Sequence, residues 1–227
     1  MKLSPEIDWS WVRGELFRKE RIKLKAGDGS GNVISKCALE CLKEAQRLAR
    51  PRSVSIDKRI VKIGPDYIEA EDDLTFYSRK LPSYVKDATC VHIYLVTIGG
   101  DIEDLASKLM SSQEELSGYL LDSIGSLAVE SLAEDMEYKL REHHTSKAKS
   151  VSMRLSPGYC DWSIEEQRKL AKVLDFSKAG VHLNEKCMMV PRKSISAFVA
   201  IGPEGSFGKR KSQCVVCDKK DCSYRRR

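Results

Sequence analysis

At 227 residues the chain is long enough for one large domain or two small ones, and its 41% apolar and 32% charged content is that of an ordinary water-soluble fold. No run approaches the ~20 apolar residues of a membrane span, and residues 1–6 bring a proline and an acid before any apolar core, so neither a membrane protein nor a secretory leader is expected. The formal net charge of +6 resides wholly after Phe207, where eight basic and two acidic residues follow, so the body is neutral and nucleic acid is not its expected partner. The eight cysteines are scattered without a disulfide framework, which points to a reduced, cytoplasmic setting.

The apolar positions predict helices around a modest sheet. Trp9, Val12, Leu16 and Phe17 fall at helical spacing over residues 9–22, and the glycines of 27–32 break that pattern. A second helix is expected over 33–48, with Cys37 and Cys41 on its apolar stripe as small core residues rather than a metal pair. Val54, Ile56, Ile60, Val61 and Ile63 predict a strand pair turning at Asp57-Lys58, with another turn at Gly64-Pro65-Asp66. Residues 90–98 are β-branched, aromatic and apolar on both faces, which predicts a central strand with His92 as a core histidine. Gly99-Gly100 then leads to Asp101, a candidate helix N-cap. That turn lacks a P-loop lysine and any GxGxxG spacing, so nucleoside triphosphates are excluded.

The longest predicted helix spans 112–142, with Glu130 and Glu134 one turn apart on a polar strip. A polar gap follows, containing Arg154-Leu-Ser-Pro-Gly-Tyr159. Pro157 fixes φ and Gly158 permits positive φ, so a sharp turn is expected beside a guanidinium fork and a tyrosine ring. Such a pair suits a small amphipathic anion; the plainer reading is a helix-to-helix loop with an exposed arginine. A helix over 164–174 and an alternating strand over 194–201 complete the body. The expected fold is α+β. It is a single domain over 1–207 with a twisted, mainly antiparallel sheet flanked by helices, one of them long, and a short Cys-rich basic tail over 208–227.

Within the tail, Cys214, Cys217 and Cys222 suit zinc or an iron–sulfur cluster, with Cys187 or Cys160 as a fourth ligand. The alternative is a solvated basic tail bearing thiols.

The 154–159 loop is followed by Leu183-Asn-Glu-Lys-Cys-Met-Met-Val-Pro-Arg-Lys-Ser-Ile-Ser-Ala-Phe198. Together they resemble the activation domain of cobalamin-dependent methionine synthase, with its Arg-x-x-Pro-Gly-Tyr loop and later L-[TN]-E-x-x-x-M-x-P-x-x-S-[VI]-S block. Ile7-Asp8-Trp9 and the segment from Val129 to Glu134 resemble two further blocks of that family, in the same order. The resemblance implies S-adenosylmethionine binding. Arg154 would hold the methionine carboxylate and Asp8 the adenosyl end, with Glu130, Gly158, Tyr159 and the main chain of Asp161 also in contact. Phe207 stands where the family has a tyrosine, and Cys160-Asp161-Trp162 replaces its Pro-Ala-Cys-Pro.

The sequence has no cobalamin-binding Asp-x-His-x-x-Gly. Cobalamin is therefore expected on a partner, a methionine synthase or another corrinoid protein, with flavodoxin or ferredoxin as electron donor. The implied role is reductive methylation of that cobalamin without a catalytic side chain from this chain. Two alternatives remain at this stage. One is a redox activator using the cysteine tail. The other is a docking module without cofactor.

Overall fold

The computed structural model describes residues 3–22, 29–208 and 221. Six antiparallel strands form one sheet in the order β3-β2-β1-β4-β8-β5. They are β1 (Arg52–Ile63), β2 (Tyr67–Ala70), β3 (Leu74–Tyr77), β4 (Cys90–Thr97), β5 (Lys149–Val151) and β8 (Ser194–Pro203). A small hairpin of β6 (His182–Leu183) and β7 (Met189–Val190) lies apart. The helices are α1 (Trp9–Lys19), α2 (Gly29–Leu48), α3 (Leu81–Val85), α4 (Asp101–Met110), α5 (Glu115–Thr145) and α6 (Gln167–Leu174). This is the expected α+β architecture, with an antiparallel sheet and one long helix. Among the described residues no helix is long and apolar enough to cross a membrane.

β4 is buried along almost its whole length because both of its faces are covered. Tyr94 and Val96 point into a core shared with α1, α2, α4 and α5. Val91, Ile93 and Leu95 point into a second core with Trp162, Leu170 and Phe198. The strict two-residue alternation of a strand is what divides the run between two cores.

The expected turn at Asp57-Lys58 is a correction. β1 runs straight through, because Asp57 pairs with His92 and Lys58 with Val91 in register on β4. The Asp57 carboxylate meets His92 Nδ1 at 2.6 Å, and that hydrogen bond holds the carboxyl below its usual range. A polar dipeptide that reads as a turn is thus satisfied inside a ladder. At α4 the N-cap is Gly100, and Asp101 is the first helical residue. With Glu103 and Asp104 it places three acids at the positive end of the helix dipole. Cys41 packs in the core, where burial and the adjacent Cys37 push its thiol up to about 12.

Candidate functional site

α5 crosses one face of the sheet and carries Glu130, Glu137 and Arg141 at i, i+7 and i+11. These positions fall within roughly 40° of one another on a helix of 3.6 residues per turn. They face the segment that leaves β5. That segment is tied to β8 by the Ser152 N–H donating to the Ala200 carbonyl at 2.8 Å and by Leu155 exchanging both main-chain hydrogen bonds with Phe198 at 2.9 Å. Leu155 enters the far core, so its neighbour Arg154 turns toward α5.

The Arg154 guanidinium donates from Nη2 to Glu130 Oε2 at 2.9 Å, and its Nε lies 3.5 Å from Glu137 Oε1. The arginine side chain is 15% exposed and Glu137 only 2%, whereas Glu130 retains 21%. Tyr94 lies fully buried against the same group, outside hydrogen-bond geometry. Burial works against the Arg154 charge, yet the Glu130 and Glu137 carboxylates beside it carry its pKa above the ordinary arginine value. Burial, reinforced by Glu137, raises the Tyr94 phenol and keeps it neutral. Nη1 of Arg154 is buried with no hydrogen-bond partner among the described residues.

The loop beyond Arg154 makes the expected turn. Gly158 has φ +87°, and a Cβ there would press within 3.2 Å of Ile164. Its N–H donates to the Trp162 carbonyl at 2.8 Å. Trp162 fills the far core edge-on against Phe76 and Phe198. Tyr159 stays 39% exposed at the tip. The Asp161 carboxylate accepts from the Ser78 hydroxyl at 2.9 Å and the Arg79 N–H at 2.7 Å, which ties the loop to the end of β3.

The N-terminal segment docks on α5 beside Glu130. The Asp8 N–H donates to Ser131 Oγ at 2.9 Å, and the Glu6 N–H donates to Asp135 at 2.7 Å. The Asp8 carboxylate caps α1, accepting from the N–H groups of Ser10 and Trp11 at 2.9 and 3.0 Å. Between the segment and the helix lies a cavity of about 390 Å³ lined by Asp8, Trp11, Ser131, Glu134 and Tyr138 among others. A larger cavity of about 690 Å³ lies along the first half of β1 and is lined by none of the candidate ligand-binding residues.

Asp8, Glu130 and Arg154 therefore gather along one helix, with Gly158 and Tyr159 a few residues beyond. The Asp161 carboxylate is committed to the β3 end, and Phe207 packs against the core on the opposite face of the sheet. Glu137, Arg141 and Tyr94 were not singled out from the sequence. The signal for Glu137 and Arg141 is the i, i+7, i+11 stripe shared with Glu130, which looks like solvated charge until the partner segment is in place, whereas Tyr94 reads as one more apolar position of β4. Cys214, Cys217 and Cys222 lie outside the described residues. Among those that are described, no group of three or more His, Cys, Asp or Glu side chains is arranged to hold a metal ion.

A family model described as the activation domain of vitamin B12 dependent methionine synthase matches residues 77–210, more than half of the chain and all of the Glu130–Arg154–Tyr159 region. Among curated proteins no sequence match is found. The fold is similar to the crystal structure of the MetH reactivation domain bound to AdoHcy, with a TM-score of 0.62 and 18% identity over 91% of this chain and 76% of that one. At that identity the likeness is one of fold.

Proposed function

Since the chain belongs to the vitamin B12 dependent methionine synthase activation-domain family, we propose that it binds S-adenosylmethionine along α5 and presents its methyl group to cobalamin held by a partner. The observation that carries this reading is the Arg154–Glu130 pair. A largely buried guanidinium and a carboxylate 2.9 Å apart form the complement of an α-amino acid zwitterion. The ligand carboxylate would take the buried Nη1 edge of Arg154, and the ligand ammonium would take the more exposed Glu130. The cavity beside Asp8, walled by Trp11 and Tyr138, would receive the adenosyl end. The AdoHcy in the structural relative supports a ligand of this class.

In this reading the side chains bind and orient. Arg154 and Glu130 fix the amino-acid end, and the N-terminal segment fixes the nucleoside end. The sulfonium is left between two anchored points, where proximity does the work. Cobalamin bound on a partner would supply the nucleophile for the methyl group, with a donor such as flavodoxin or ferredoxin providing the electron that reduces it. The activation-like domain would occupy residues 1–207, with 208–227 as an appended basic segment.

Titration calorimetry of the full chain with S-adenosylmethionine tests the proposal. Saturable binding is expected, and Arg154→Lys, which keeps the charge but loses the fork, should weaken it by about 1.5 kcal/mol. Absence of binding by the unmutated protein would overturn it.

A further inference from the structure

Arg141 sits one turn beyond Glu137 on the stripe of α5 that faces Arg154. Its Nη1 donates to the Val151 carbonyl and its Nη2 to the Ser152 carbonyl, each at 2.6 Å. Both bonds are charge-assisted, and the planar fork reaches two successive main-chain oxygens at once. On its other side the same stretch is held by β8, through the Val151–Ile201 register and the Ser152–Ala200 hydrogen bonds. β5 is an edge strand of the sheet, paired with β8 alone among the described strands, and Arg141 adds a grip on its main chain from the other side. Arg154 follows Ser152 by two residues, and a one-residue slip moves a strand by about 3.3 Å and exchanges its faces. α5 thus grips the segment twice, at its main chain through Arg141 and at the Arg154 head group through Glu130 and Glu137.

We infer that Arg141 is a positioning residue for recognition of the ligand α-carboxylate, acting through Arg154 by fixing the main chain that delivers it. The assignment rests on the S-adenosylmethionine reading given above. It also separates the two ends of the ligand. The Asp8 cavity is lined from α5 by Ser131, Glu134, Asp135 and Tyr138, and none of residues 151–154 lines it.

The test compares two ligands on the full chain, S-adenosylmethionine and its decarboxylated form, which lacks only the group that Arg154 would hold. The unmutated protein should prefer the intact ligand by at least roughly 10-fold, the scale of one charge-assisted hydrogen bond. Arg141→Met should cut that ratio below about 3-fold with little change for the decarboxylated ligand, and Arg141→Lys, with one donor in place of the fork, should fall between. A merely structural role would lower both affinities by the same factor. An unchanged ratio, an equal loss for both ligands, or failure of Arg141→Lys to fold each overturns the assignment. If the unmutated protein binds neither ligand, the functional reading falls and takes this inference with it. If the unmutated protein discriminates and both variants still do, the Arg141 assignment alone falls.

Discussion

Removing the Arg154 guanidinium would take a cation from within 3.5 Å of Glu137, which is 2% exposed. Breaking a buried pair from one side costs more than the pair contributes, because a charge is left in a poorly solvated place. Arg154→Ala should therefore destabilise the protein by about 3 kcal/mol in urea unfolding, and the double variant Arg154→Ala, Glu137→Gln should recover part of that loss. Equal stability of the single and double variants would show that the two groups are not coupled. A second titrating group lies at the end of the same helix. Burial, with His143 beside it, pushes the His144 imidazole down to about 4. The unfolded chain takes up that proton near pH 6.5 and the folded chain only near 4, so the unfolded state binds more protons in between. The contribution is complete above about pH 6.5 and is lost as pH falls toward 4. Urea midpoints at pH 7 and pH 5 should differ less in His144→Phe than in the unmutated protein.

At the scale of elements, α5 depends on close approach to α4. A Cβ on Gly118 would lie 2.7 Å from the Met110 side chain and 2.8 Å from main-chain atoms of Ala106 and Met110, so the helices would have to separate. Gly118→Ala should cost about 1–3 kcal/mol in spite of alanine's better helix propensity. Gly14 on α1 meets nothing within 4 Å, and Gly14→Ala should instead stabilise by roughly 0.5–1 kcal/mol. Thermal unfolding of the two variants would show the opposite signs. The same elements show what the sequence makes legible. The apolar run of β4 and the long periodicity of α5 announce themselves, because burial on two faces or along one face leaves a regular pattern. β1 does not, since Asp57-Lys58 looks like a turn until His92 is placed opposite Asp57. The Arg154 loop is legible through its Pro-Gly pair. Glu137 and Arg141 are not, because a charged stripe on a helix normally faces water, and only the docking of the 151–154 segment turns it inward.

For the molecule as a whole, the proposed cleft is assembled from three distant parts of the chain: the N-terminal segment, the middle of α5 and the segment after β5. The first of these is tied to α5 by the Asp8–Ser131 and Glu6–Asp135 hydrogen bonds and the Lys139 ammonium donating to the Ser4 carbonyl, and Leu3 and Ile7 pack against the core beside it. Terminal segments are commonly among the first parts of a fold to open locally. A ligand anchored at both Arg154 and Asp8 would join this one to the rest, and would stabilise the folded state by mass action. At one hundred times its dissociation constant the gain is about 2.7 kcal/mol, or roughly 5–10 °C in Tm for a domain of this size. Hydrogen exchange adds the spatial test. S-adenosylmethionine should slow exchange at residues 6–12 and at 152–159 together, while the β2–β3 hairpin at the other edge of the sheet stays unchanged. Protection confined to 152–159 would mean that the ligand is held at its amino-acid end alone. The N-terminal segment would then be a structural strap over α5 with no part in binding.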